Sequence, residues 1–312
     1  MAGPEATVLI ATRDRAEHIA TSLTSVLESA QQAPFEVEVV VVNNGSRDDT
    51  GEVIDRFSSS WPMLRHLDDP IAGRSGVLNR ALPQLEGRAV LFTDDDVHVP
   101  ESWVTDMAAP ILDGTADAVC GRIVLADHLD RPWLTPHLRA ALAELVDVSG
   151  DLPGTVGANM AASREVAMAI GFDEELGPGE RGFADDVLFG WRMKAAGYRL
   201  VGTAGPPVEH HLDADRLTYA VMKSLAQRNG SSHAYLWHHW LHSDIQHLGM
   251  RRLRARTQLA WIGMRRRDGD PMTDREYDLW FAESLWRHLG QERSKPPRYP
   301  DAVTDPQPAG NR

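Results

Sequence analysis

Cysteine is almost missing from this 312-residue chain. Cys120 stands alone, which excludes an intramolecular disulfide and any zinc or iron–sulfur site built from thiolates. Lysine is nearly as rare, 3 residues against 29 arginines, a bias that points to a GC-rich genome. No apolar run approaches the ~18 residues of a membrane span, and the amino terminus has no basic segment followed by an apolar one. The expectation is a soluble, cytoplasmic protein. Positive charge is scarce in the front of the chain, where residues 1–215 carry 35 acids and 16 bases, net −19. Such a field argues against a nucleic-acid partner. It does not argue against a nucleotide, because a divalent cation can supply the missing charge.

What is present is ordinary globular composition, 42% apolar and 25% charged, with length enough for a large core. Residues 7–11 (TVLIA) and 37–42 (VEVVVV) read as buried strands, 63–67 as a weaker one, and 89–93 (AVLFT) as another. Between them Ile19, Leu23, Val26 and Leu27, then Val53, Ile54 and Phe57, then Val77, Leu78, Ala81 and Leu82 recur at helical spacing. Ser46 with Asp49 is expected to cap the second of these helices. Strand–helix alternation of this kind predicts an α/β fold, a mainly parallel, Rossmann-like sheet with helices on both faces.

Beyond Asp117 the rhythm loosens. Residues 118–124 read as one strand, 138–146 as a short helix within an insertion, 185–196 as a helix and 198–203 as a strand. The glycine-rich segment 177–182 is expected to be a mobile loop. Residues 216–289 read as helix throughout, and the proline-rich tail 296–312 as disordered. The predicted organisation is thus an α/β domain over 1–215, a helical region over 216–295 and the tail.

Ligands of open α/β sheets bind at the carboxyl ends of the parallel strands. Three polar clusters sit there: residues 12–15, 43–46 and the run Asp94, Asp95, Asp96. Adjacent carboxylates repel, and a divalent cation among them removes most of that cost; hard oxygen ligands suit magnesium or manganese. A solvated acidic turn is the plainer reading of such a run, and its place behind a buried strand favours the metal. Asp185 and Asp186 open a helix, where acids complement the helix dipole or one of them serves as a general base. His210 closes the segment after the last strand, within reach of completing a metal shell.

Taken in order, residues 7–15 (TVLIATRDR), 39–50 (VVVVNNGSRDDT), 91–96 (LFTDDD) and 184–186 (ADD) resemble the nucleotide-sugar glycosyltransferases of the GT-A fold, family 2. The resemblance covers roughly residues 5–235. It implies a metal-dependent, inverting hexosyl- or deoxyhexosyltransferase that uses manganese or magnesium. The donor it implies is a nucleoside diphosphate sugar, UDP or dTDP before GDP, and the acceptor class a bacterial natural product or surface glycan. The implied donor-binding set is Thr12, Arg13, Arg15, Asn43, Asn44, Asn79, Asp94 and Asp95. Asn43 stands where the family usually has an aspartate on the base, and Arg74 and Asn79 fall near its Arg-Asn region. Asp94 and Asp96 match the DxD motif and, with His210, make up the implied metal set. Asp186 falls at the catalytic-base position, with Asp185 beside it. Two other readings compete. A sugar-phosphate nucleotidyltransferase would want a glycine- and lysine-rich loop after the first strand, which 11–17 does not provide. An inactive carbohydrate- or partner-binding module would not need Asp96, Asp186 and His210 together.

Residues 216–295 carry 8 acids and 14 bases, net +6. Trp237, Trp240 and Trp261 alternate there with Arg251, Arg252, Arg254, Arg256 and residues 265–267, all arginine. The expectation is acceptor binding, a peripheral membrane contact or a homo-oligomer contact. The plainer reading is an amphipathic helix that covers the sheet.

Overall fold

A computed structural model of the chain describes residues 3–300, except 151, 179 and 204. The chain divides into two compact units. The first holds the residues up to Ala126, Ala143–Glu174 and Asp185–His211; the second holds Asp127–Leu142, Glu175–Ala184 and the chain from Leu212 onward. Three segments inside the expected 1–215 domain, 127–142, 175–184 and 212–215, are therefore grouped with the helical unit.

In the first unit, β1 (Ala6–Thr12), β2 (Val37–Asn43), β3 (Leu64–Asp68) and β4 (Ala89–Thr93) form the parallel half of a seven-stranded sheet. β5 (Val97–His98), β6 (Ala118–Cys120), β7 (Ile123–Leu125), β8 (Met160–Ser163), β9 (Leu200–Gly202) and β10 (Val208–His210) are the other strands among the described residues. The large sheet runs β3-β2-β1-β4-β8-β6-β9, with β8 antiparallel to β4 and β6. A second sheet runs β5-β10-β7. Both faces of the large sheet are covered, as the near-continuous apolar runs require. Val8, Ile10, Val39 and Val41 pack with α1 (Ile19–Gln32), α2 (Thr50–Ser60) and α4 (Trp103–Leu112). Leu9, Val40, Val42 and Phe92 pack with α3 (Arg74–Ala81), α6 (Arg164–Ile170) and α7 (Asp185–Ala195). Alternate residues of one strand thus enter opposite cores, the period-2 rule of a pleated strand.

The region read as one strand, 118–124, is two strands in two sheets. Asn159 packs against the break: a Cβ on Gly121 would lie 2.2 Å from its amide nitrogen, which also donates to the Arg122 carbonyl at 2.9 Å. The helix expected over 138–146 lies earlier, as α5 (Pro136–Ala141), started by the Thr135 side chain and by a proline in its first turn. Leu145 instead bridges to Ile123. Ser46 does not cap α2; its hydroxyl accepts from the Asp14 backbone N–H at 3.0 Å.

The second unit contains α5 and three long helices, α8 (Tyr219–His239), α9 (Leu248–Gly263) and α10 (Asp274–Glu292). A capping box at Thr273 and Glu276 starts α10. The glycine-rich loop is tied down at its carboxyl end: Arg181 pairs with Glu292, and the Phe183 N–H donates to Ser232 Oγ at 2.9 Å. Gly179, part of the expected mobile loop, lies outside the described residues. Of the tail expected to be disordered, Arg298 and Tyr299 are held instead. The Arg298 guanidinium donates to Tyr235 Oη at 3.1 Å, and the His242 ring meets the Tyr299 carbonyl at 3.0 Å. Residues 301–312 lie outside the described residues. Among the described residues, no helix is long and apolar enough to cross a membrane.

Gly230 lets α8 and α10 approach, because a Cβ there would lie 2.3 Å from the Phe281 carbonyl oxygen. Gly230→Ala should therefore push the helices apart and lower stability by about 1–3 kcal/mol, as overpacking does. A lowered unfolding midpoint in urea checks this.

Candidate active site

The parallel strands end within two residues of one another. Thr12 of β1 is paired with Asn43 of β2, and Ile10 with Thr93 of β4. The Thr93 hydroxyl is tied to the Ala158 carbonyl at 2.9 Å, so the turn of Asp94, Asp95 and Asp96 leaves the core from a fixed point. The three carboxylates then diverge. Asp95 accepts from Thr12 Oγ1 at 2.6 Å and Arg15 Nε at 3.2 Å. Asp96 pairs with the other end of the Arg15 guanidinium and lies 3.2 Å from His210 Nε2 on β10. Asp94 accepts from Arg74 Nη2 at 2.7 Å. Strand alternation turns His210 inward to Asp96 and leaves Glu209 exposed.

Arg74 opens α3 behind Gly73, whose φ of 117° suits glycine. Its second nitrogen, Nη1, donates to Asp185 Oδ2 at 3.0 Å, and Ser75 Oγ lies 3.3 Å from the same oxygen. One guanidinium thus bridges the β4 turn to the acid pair of α7. Asp186 points elsewhere, accepting from the Gly157 N–H at 2.6 Å and its neighbour Val187 N–H at 2.7 Å. The ~100° between successive residues of a helix therefore separates two duties: Asp185 holds an arginine, and Asp186 holds backbone. Ala184, just before them, has a φ of 71°, a left-handed conformation that costs a residue with a Cβ.

Burial pushes the Asp186 carboxyl up to about 7, with the Asp185 charge adding to it and the Gly157 N–H and Arg74 opposing it. Burial and Asp96 together push Asp95 up to about 6 against the pull of Arg15 and Thr12. Burial works against the Arg74 cation, but Asp94, Asp185 and Asp186 outweigh it and raise its pKa. Asp94, Asp96 and His210 each offer one ligand atom, all within 4.8 Å of one another. Two carboxylates and an imidazole fit a manganese or magnesium ion. A second such grouping, His98, Glu209 and His211, lies on the outer side of β5 and β10.

The remaining expected residues are placed around this centre. Asn43 is buried at the end of β2, donating to Asp68 Oδ1 at 3.0 Å and accepting from the Ser46 N–H at 3.1 Å. Asn44 straps the following loop, donating to the Asp69 and Ile71 carbonyls and accepting from the Gly73 N–H. Asn79 is engaged with the backbone of Phe172 and with Glu174, outside the carboxylate cluster. Arg13 is half exposed, 3.6 Å from Asp14. Sequence reasoning placed Arg74 only loosely and passed over Gly157 entirely. The signal for Gly157 was slight, a glycine in a small-residue stretch. In the structure a Cβ there would stand 3.1 Å from Arg74 Nη2 and 3.4 Å from Asp186 Oδ2.

Comparison with known proteins bears on the family and the fold. The family described as Glycosyl transferase family 2 matches residues 7–171. The chain belongs to that family. The match spans β1 to α6 and includes the Asp94–Asp96 turn, while Asp185, Asp186 and His210 lie beyond it. Glycosyltransferase GlyA of Streptococcus pneumoniae is 32% identical over 85 residues, 27% of this chain and 12% of that protein. Glycosyltransferase AglD of Haloferax volcanii is 27% identical over 135 residues, 42% of this chain and 22% of that protein. The chain thus spans only a fraction of the length of these curated relatives. Among solved structures, the mannosyltransferase PcManGT of Pyrobaculum calidifontis, in complex with GDP-Man and Mn2+, superimposes with a TM-score of 0.51 at 20% identity. That match covers 94% of this chain and 74% of PcManGT. Residues 1–349 of TarS from S. aureus give a TM-score of 0.51 at 19% identity, covering 85% and 74%. The shared fold is the GT-A fold of this family.

Arg74 is the cation that joins buried Asp185 to half-buried Asp94 in this family 2 chain. Breaking a buried ion pair by removing one partner costs about 3–5 kcal/mol, and lysine cannot span two carboxylates as a guanidinium fork does. Arg74→Ala should lower unfolding free energy by about that amount, and Arg74→Lys should recover only part of it. Chemical denaturation of the two variants checks the order.

Proposed function

We propose that this chain is a metal-dependent, inverting glycosyltransferase that moves a hexosyl or deoxyhexosyl unit from a nucleoside diphosphate sugar to an acceptor hydroxyl. The observation that carries this reading is the charge of the site. Five carboxylates, Asp94, Asp95, Asp96, Asp185 and Asp186, share two guanidiniums, Arg15 and Arg74. A diphosphate arriving alone would be repelled, and a divalent cation reverses that sign. Asp94, Asp96 and His210 would hold the ion, which when bound supplies Lewis-acid stabilisation of the diphosphate leaving group. Arg15 and Thr12 fix Asp95 and so hold the turn in place. Asp185, locked to Arg74, orients the start of α7 and leaves Asp186 to receive the acceptor proton. With a carboxyl pushed up to about 7, Asp186 is matched to proton transfer near neutral pH. Attack in line from the face opposite the leaving group inverts the anomeric centre.

PcManGT with GDP-Man and Mn2+ supports a nucleotide-sugar donor and a metal, and TarS in complex with UDP-GlcNAc supports the same donor class. Guanine and uracil donors both occur on this one fold, and the resemblance puts the base contact at the end of β2. There Asn43 and Asn44 stand, and we assign a UDP or dTDP sugar to it. A bacterial natural product or surface glycan is the acceptor class we assign.

Turnover of donor should cease in chelator and return with manganese, and Asp96→Ala should be inactive while retaining the wild-type circular dichroism spectrum. Full activity in chelator would remove the metal from the mechanism. Asp186→Asn should slow the single-turnover rate by about 10²–10⁴-fold with donor dissociation constants unchanged. A base must be unprotonated, so the wild-type rate should rise with pH up to about 7 and level off above it. That rising limb should vanish in Asp186→Asn. Its persistence in the variant would place the base on another residue.

A further inference from the structure

We propose that the outer face of α9 rests on an anionic lipid surface. This inference stands on the second unit alone and does not depend on the reading of the catalytic centre. The inner face of α9 is settled: Ala255 and Leu259 are buried, and Arg252 pairs with Glu283 at 2.8 Å. On the other side Met250, Leu253 and Trp261, with Met264 just past the helix end, are 50%, 61%, 47% and 79% exposed. Ile71, Val146 and Met168 are the other exposed large apolar side chains among the described residues, and they are scattered. The three on α9 and Met264 at its end are not: at ~100° per residue their positions fall within an arc of about 80°, opposite Ala255 and Leu259. Scattered apolar side chains are normal on a protein surface; an aligned stripe marks an interaction site.

Charge decides what the stripe meets. Residues 245–267 contain seven arginines and no acid. Arg251, Arg254 and Arg265 flank one side of the stripe and Arg256 the other, with Arg267 in the segment just past the helix; all five are exposed. The Arg265 guanidinium stacks over the Trp261 ring, 3.6 Å from its centroid, so the cation and the aromatic ring sit at one level. A basic rim around an apolar stripe carrying tryptophan is the design of a helix lying in the interfacial plane of a bilayer, with arginines at the headgroups. A second copy of the chain fits less well, since a two-fold interface sets this stripe on itself and opposes arginine to arginine. A polyanion without an apolar layer would leave the stripe in water.

The test uses the full chain and vesicles of phosphatidylglycerol with phosphatidylcholine, against vesicles of phosphatidylcholine alone. The chain should sediment with the anionic vesicles, and added salt should weaken that binding by screening. Affinity should fall at least tenfold in Leu253→Glu/Met264→Glu, and likewise in Arg254→Gln/Arg256→Gln/Arg265→Gln/Arg267→Gln. Every substituted side chain is exposed, so melting curves should match the wild type, which separates lost binding from lost folding. Absence of binding to anionic vesicles overturns the proposal, as does binding that either variant retains. Self-association without lipid that Leu253→Glu/Met264→Glu abolishes also overturns it and assigns the face to a second copy.

Discussion

Two arginines hold together the part of this protein that has chemistry to do. Arg15 gathers Asp95 and Asp96, and Arg74 gathers Asp94 and Asp185. Buried carboxylates are tolerated only when paired or hydrogen-bonded. Each arginine therefore fixes the relative position of chain segments whose charges would otherwise drive them apart. Arg15 joins the loop after β1 to the turn after β4, and Arg74 joins that turn to the first residue of α7. The pairing is incomplete by count, since Asp186 receives only backbone N–H groups and its carboxyl rises to about 7. The residue left without a cation of its own is the one whose proton affinity reaches the neutral range.

The small sheet does for His210 what the large sheet does for the aspartates. β10 lies between β5 and β7, and the His211 N–H donates to the Asp96 carbonyl at 2.7 Å. Asp96 is thus held by backbone as well as through its side chain, and His210 is placed beside it by the same strand. Gly157 completes the arrangement from another direction: its N–H reaches Asp186 because no side chain stands between them and Arg74. Packing and chemistry are one constraint here, since the absence of a Cβ lets the acid pair and the arginine share so little space.

Much of the architecture was legible because it is local. β1, β2 and β4 were readable as apolar runs with polar ends, and α1, α2 and α3 as 3.6-residue periodicities. The misreadings share a cause. Residues 118–124 look like one strand until Asn159, far along the chain, is packed against Gly121. Ser46 looks like a helix cap until Asp14 takes its hydroxyl. Arg298 and Tyr299 look like tail until Tyr235 on α8 and His242 just past it are in place. In each case a local preference was outweighed by a partner that no short window contains.

The sequence by itself determined that acids collect at the carboxyl ends of parallel strands. A strand's direction and a motif's place after it are both written locally, and so is the ordered succession of motifs that marks family 2. It also determined the arginine-rich, acid-free stretch from 245 to 267. Only the tertiary structure decided which cation each carboxylate meets. Arg74 and Asp185 are 111 residues apart, as Asp96 and His210 are 114. Likewise only the packing of α9 decided that Ala255 and Leu259 are covered and Met250, Leu253 and Trp261 are not. Both outcomes depend on how distant segments close on one another, and burial, which sets the cost of every charge and the value of every apolar surface, exists only after they have done so.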